Sequence, residues 1–207
     1  MRKLIAVVGG VVLLVAPVAR AGGDGVDLLK DGLDGFDVRG TAAWSIEDGI
    51  LTGKSGPGLK GSMLFTKASY ADFELDCEFL GKGFKAGKHT SVPVENFDSG
   101  LFFRNRNKIQ VQLGISRSLK KDMTGSLYVA GGGYKFKARD AAGRHKAGEW
   151  HKLKLRVQGD RIKVWLSDEL VLEATTGDFP EPGPIGFQIH GGVQMEARFR
   201  NLQLVVL

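Results

Sequence analysis

Residues 72–80 read DFELDCEFL, and as far as Phe79 they alternate without a break between two kinds of side chain. Asp72, Glu74, Asp76 and Glu78 take one set of positions, and Phe73, Leu75, Cys77 and Phe79 take the other. An extended chain turns successive side chains to opposite faces, so this period predicts a strand with one wet and one buried face. The period returns along the chain. Leu153, Leu155 and Val157 alternate with Lys152, Lys154 and Arg156, and Met195, Ala197 and Phe199 alternate with Glu196, Arg198 and Arg200. Gly159-Asp160 and Ser167-Asp168-Glu169 supply turns into strands at residues 161–166 and 170–174. Further strands are expected at residues 44–47, 49–52, 62–66, 100–105, 108–115, 126–130 and 185–190. Thirty glycines are spread between these runs, as many tight turns require. About a dozen short strands with no interleaved helical period predict an all-β sandwich of two antiparallel sheets. Two connections, residues 81–97 and 131–148, are long enough to be binding loops or lids.

The N-terminus bears on the compartment. Arg2 and Lys3 precede an apolar run over residues 4–18, and Ala19-Arg20-Ala21 places small residues where a signal peptidase reads them. This pattern predicts a signal peptide over residues 1–21, cleaved after Ala21, and one domain over residues 22–207 that is periplasmic or secreted. The run is short for an uncleaved membrane anchor, which needs about 20 apolar residues. No membrane span is expected after cleavage. The formal charge of +6 includes Arg2, Lys3 and Arg20, so residues 22–207 carry +3. The remaining basic residues cluster in loops, among them Arg117, Lys120 and Lys121, without the interleaved aromatics of a single-strand binder. They read as solvated charge, and no nucleic-acid partner is expected. Cys77 is the single cysteine, which excludes a disulfide framework and leaves a packing role on the apolar face of its strand.

Most of these strands pair an apolar face with a charged one, but three differ. Ile109, Val111 and Leu113 point one way while Gln110, Gln112 and Gly114 point the other; Phe187 and Ile189 oppose Gln188 and His190; Phe102 and Arg104 share a face. Were these strands neighbours, their polar faces would build a patch of amides, one guanidinium and one imidazole, which suits a polyhydroxylated ligand. No histidine pair has metal-ligand spacing, no metal site is expected, and nothing identifies a cofactor. Gly131-Gly132-Gly133 lacks the lysine and helix of a phosphate loop.

Several stretches together carry a family likeness: GFDVRGTAAWSIEDGILTG at residues 35–53, YADFELDCEF at 70–79, DSGLFFRN at 98–105, AGEWHKLKLRVQGDRIKVWL at 147–166, GPIGFQIHGG at 183–192 and FRNLQL at 199–204. In this order they resemble the 3-keto-disaccharide hydrolase domain family, associated with lyase and hydratase steps on 3-keto-glucosides. The resemblance implies a concanavalin A-like jelly roll and an oxidised glycoside as ligand. It implies His190 as catalytic acid or base, Arg104 as the group steadying an oxyanion, and Gln112 as a residue orienting the sugar. It also marks departures. The family commonly has Glu at the position of Gln110, an Asp near Gly114-Ile115-Ser116, and an Asp at the position of Ile189. Glutamine cannot act as a general base, so Asp98 and Asp122 become the nearest acids able to compensate. Asp122 lies in the basic loop 116–124, SRSLKKDMT, which could fold over the patch. Two functions follow: an exported lyase, hydratase or net hydrolase of 3-keto-glycosides, or a non-catalytic carbohydrate-binding sandwich derived from that family.

Overall fold

The computed structural model describes residues 25–84, 97–104, 108–179 and 181–207. The expected signal peptide and most of the first long connection lie outside the described residues. Sixteen strands run in chain order. They are β1 (Val26–Asp27), β2 (Phe36–Gly40), β3 (Ala43–Glu47), β4 (Ile50–Lys54), β5 (Ser62–Thr66) and β6 (Phe73–Phe84). Next come β7 (Asp98–Phe102), β8 (Ile109–Ser116), β9 (Lys121–Asp122), β10 (Leu127–Val129) and β11 (Gly133–Phe136). The last are β12 (His151–Gln158), β13 (Arg161–Leu166), β14 (Glu169–Thr175), β15 (Gly186–Ile189) and β16 (Gln194–Val206). Among the described residues only two short 3-10 turns interrupt them, and no helix there is long and apolar enough to cross a membrane.

The strands form two antiparallel sheets. The first has the order β14-β13-β12-β6-β16-β4-β3, with β1 beside β16; the second has the order β11-β10-β8-β7-β15-β5-β2, with β9 beside β8. The alternation seen in residues 72–80 is what fixes the register: Leu75 faces Leu155, and Phe79 faces Phe199, so apolar side chains meet apolar ones on the inner face. From the second sheet Leu64, Leu101, Ile109, Val111, Leu113 and Phe187 project into the same core and are fully buried. Phe187 and Phe199 join the two layers with ring centroids 4.8 Å apart. Each such buried side chain contributes roughly 1.5–3 kcal/mol of hydrophobic stabilisation. Cys77 is buried on this inner face, where burial pushes its thiol pKa up.

Four strands, β1, β2, β9 and β11, were not expected; β1 has only two residues. In β2 only Phe36 is buried, so its sequence FDVRG carries little alternation to read. β9 has two residues, and β11 lies inside the expected long connection 131–148. The strand expected at residues 100–105 is β7 instead, shifted toward the N-terminus. It stops at Phe102 because Arg104 takes a left-handed conformation with φ 49°, which breaks the alternation.

Candidate functional site

The outer face of the second sheet is where the uncharged strand faces come together. Phe102 on β7 pairs with Gln110 on β8, which pairs with Tyr128 on β10; Gly100 pairs with Gln112, and Asp98 with Gly114. On the other side of β7, Gly186 pairs with Phe102 and Phe187 with Leu101, so the next step sets Gln188 across from Gly100. Gln188 in turn pairs with Met63 on β5. The inner-face residues of these strands fill the core, and their neighbours in sequence must therefore project outward. They line a cavity of about 450 Å³, within the size range of small-ligand pockets. Gly100 leaves room for its floor: a Cβ there would stand 2.5 Å from the Gln110 carboxamide.

The polar groups are ordered by a chain of hydrogen bonds. Gln110 Nε2 donates to Gln112 Oε1 at 3.1 Å, and Gln112 Nε2 donates to Asp98 Oδ1 at 2.9 Å. The Arg117 main-chain N–H donates to Asp98 Oδ2 at 3.1 Å. Asp98 is the one carboxylate lining the cavity among the described residues. His190 Nδ1 lies 2.7 Å from the Gly191 carbonyl oxygen, which can only accept, so Nδ1 carries the proton in the neutral ring. That leaves the Nε2 lone pair unprotonated, 4.0 Å from Asp98 Oδ2, on a side chain 37% exposed. Tyr128 and Tyr134 meet edge to face at 5.3 Å and form an aromatic wall. Burial raises the Tyr134 phenol pKa against the opposing effect of its hydrogen bond with Ser116, so the phenol stays protonated.

Asp98, Gln110, Gln112, Gln188 and His190 thus share one cavity, whereas Arg104 and Asp122 do not line it. Arg104 is a correction to the expected patch. Its side chain is 4% exposed and donates from Nε to Ala71 O at 2.9 Å, from Nη1 to Gly159 O and Phe179 O, and from Nη2 to Asp72 at 2.8 Å. Once β7 ends at Phe102, the face that Arg104 would have shared with Phe102 no longer exists. Asp122 is likewise a bracket within the protein. Its carboxylate accepts from Thr124 N, Thr124 Oγ1 and His145 N. The loop it holds does reach the cavity, but through Ser116, Arg117 and Ser118. Sequence reasoning missed Arg117 because a basic loop reads as solvated charge, and missed Tyr134 because β11 carries no clear period. Among the described residues no three His, Cys, Asp or Glu side chains are grouped to hold a metal ion.

Two antiparallel sheets packed face to face give the chain a concanavalin A-like sandwich fold. The solved structures it is similar to agree on the fold. A candidate glycosyl hydrolase from Parabacteroides distasonis superposes with a TM-score of 0.66 at 19% identity, over 89% of this chain and 100% of that one. The carbohydrate-binding module CBM66 from Bacillus subtilis gives 0.56 at 19% identity, over 81% and 93% of the two chains. The lumenal domain of VIP36, in a Ca²⁺- and mannose-bound form, gives 0.53 at 13% identity, over 84% and 83%. None of the curated protein sequences compared matches the chain significantly. Residues 24–205 match the 3-keto-α-glucoside-1,2-lyase-like domain model, and the chain belongs to that family.

Proposed function

We propose that the protein is an exported enzyme that cleaves 3-keto-glycosides by elimination, with water addition to the unsaturated sugar completing a net hydrolysis. The observation that carries this reading is the tautomer of His190. Its Nδ1–H is committed to Gly191 O, and its unprotonated Nε2 is presented in an amide-lined cavity. A ketone at C3 acidifies the proton on C2, and the unprotonated Nε2 of a neutral imidazole can accept it as a general base. Asp98 Oδ2 lies 4.0 Å from Nε2, an opposite charge beside the imidazolium that proton transfer creates. Gln110, Gln112 and Gln188 offer amide donors and acceptors to the sugar hydroxyls. The pattern of residues 1–21 supports export to the periplasm or medium.

The test is incubation of the purified protein with 3-keto-trehalose or 3-keto-sucrose, with product followed by NMR. Release of the free sugar, lost in His190→Ala, is expected. No product, with or without added divalent metal, overturns the proposal. One observation favours a second reading, a binding module without turnover. Gln110, where the family commonly has Glu, donates to Gln112 Oε1, which an ionised carboxylate cannot do. That reading requires saturable sugar binding that survives His190→Ala, together with no cleavage.

A further inference from the structure

We infer that Arg117 is the catalytic cation of this site, the group that receives the negative charge developing on the substrate ketone. The inference rests on the reading of the substrate as a 3-keto-glycoside. The basic loop holds Arg117 in place at both ends. β9 pairs back on β8 through Ile115–Asp122 and Ser116–Lys121, Lys120 N donates to Ser116 O at 2.7 Å, and Asp122 ties the far side to Thr124 and His145. Two further bonds aim the residue itself: its main-chain N–H on Asp98, and its Nη1 on Gly191 O at 2.9 Å. Gly192, at φ 74°, keeps the approach open, since a Cβ there would stand 3.0 Å from Nη1.

Two features separate Arg117 from an ordinary surface arginine. Its Nη1 donates to the same carbonyl oxygen as His190 Nδ1, so one acceptor fixes both the guanidinium and the imidazole. And a guanidinium has five N–H donors, of which the described residues engage one, with no carboxylate at ion-pairing distance. It is also the one permanent cation lining the cavity among the described residues.

The charges then balance through the reaction. Before it, Arg117 and Asp98 offset each other and His190 and the sugar are neutral. In the step, His190 Nε2 takes the C2 proton, the C2–H electron pair becomes the C2=C3 bond, and the carbonyl pair moves onto the C3 oxygen. The new imidazolium lies beside Asp98 and the new oxyanion faces Arg117, so each charge forms next to a preorganised opposite one. The oxyanion pair then re-forms the carbonyl, C1=C2 forms, and the C1–O bond breaks. The departing oxygen takes the proton back from His190. Nothing is oxidised or reduced, and no further reagent is consumed.

The experiment uses 3-keto-trehalose in D₂O, reading C2–H exchange and glucose release by NMR for wild type, Arg117→Ala, Arg117→Lys and Lys121→Ala. Arg117→Ala should lose about 10²–10³ in kcat with KM little changed, as removal of an oxyanion donor does, and added guanidinium ion should restore part of it. Arg117→Lys keeps the charge on the loop, and it should still lose at least about tenfold because an ammonium cannot present two parallel donors. Lys121→Ala, which alters the loop charge alone, should match wild type. An active wild type with an equally active Arg117→Ala, or an effect confined to KM, overturns the Arg117 assignment and leaves the reading of the substrate standing. A wild type that neither exchanges the proton nor releases glucose overturns both.

Discussion

Replacing Arg104 by methionine keeps the length of the side chain and removes everything its guanidinium holds. The carbonyls of Ala71, Gly159 and Phe179 lose their side-chain donor, and the Asp72 carboxylate loses its ion pair but keeps the Gly159 N–H at 3.0 Å. Water can reach Asp72, which is 38% exposed, and solvation there recovers part of the loss. The Phe179 carbonyl bond is buried, so removing it costs the desolvation of an unpaired acceptor, about 1–3 kcal/mol. Breaking the partly buried contacts as a set brings the total to roughly 3–5 kcal/mol. For a domain of this size each kcal/mol moves the melting temperature by about 2–4 °C, so a fall of roughly 6–20 °C is expected. The assay is a thermal melt followed by circular dichroism, run beside turnover of a 3-keto-glycoside well below the melting point. Arg104→Met should melt early and, while folded, keep kcat close to wild type. A variant that melts within about 2 °C of wild type yet loses a hundredfold in kcat would refute the structural role argued here and return Arg104 to the site.

Other perturbations separate site from scaffold. Gly100→Ala should displace the Gln110 carboxamide from the cavity floor and weaken sugar binding measured by calorimetry by about tenfold, since a Cβ 2.5 Å from that amide forces it to move. His145 is stacked between Phe79 and Phe97, and burial, with His151 nearby and Asp122 opposing, holds its pKa down to about 4. The folded state therefore binds this proton less readily than the unfolded chain. Urea melts should show full stability above pH ~6.5 and a loss on the order of 3 kcal/mol as pH falls from there toward 4, a slope that His145→Phe should flatten. The Cys77 thiol, raised in pKa by burial and then by Asp76 and Glu78, should resist a thiol reagent in native protein and react once urea unfolds it.

What could be read in advance followed the strength of the period. Residues 72–79, 152–157 and 195–200 have ionic and apolar positions in strict alternation, and the structure places them in the first sheet with the expected face inward. The amide faces of β8 and β15 were legible for the same reason: Ile109, Val111 and Phe187 fix the inner face, so Gln110, Gln112 and Gln188 have one direction left. What alternation cannot carry is the point at which it stops. A single left-handed residue at Arg104 ended β7 and turned an expected site residue into a structural one. Gly183 packs against that turn so closely that a Cβ would lie 2.4 Å from the Arg104 carbonyl carbon, a tertiary constraint no local pattern contains. Arg117 was hidden for the opposite reason, because its role depends on Gly191, distant in sequence and reached only after the two sheets close.

The position of β16 sets the order in which this molecule can be made. It lies between β6 and β4, with β1 against it as well, and it is drawn from the far end of the described chain. Leu204 pairs with Leu75, and Phe199 with Leu51, across most of the sequence. Until that segment leaves the ribosome, β6 and β4 have no common neighbour, β1 has no partner strand, and the first sheet is in pieces. Synthesis at about 5–20 residues per second therefore runs well ahead of any complete sandwich, and the long-range pairing that follows is intrinsically slow. The nascent chain passes through an extended interval with its strand edges unpaired, and over that interval the polypeptide stays threadable. A channel that accepts only unfolded chains, such as the export proposed here requires, would meet this protein in the state it can carry.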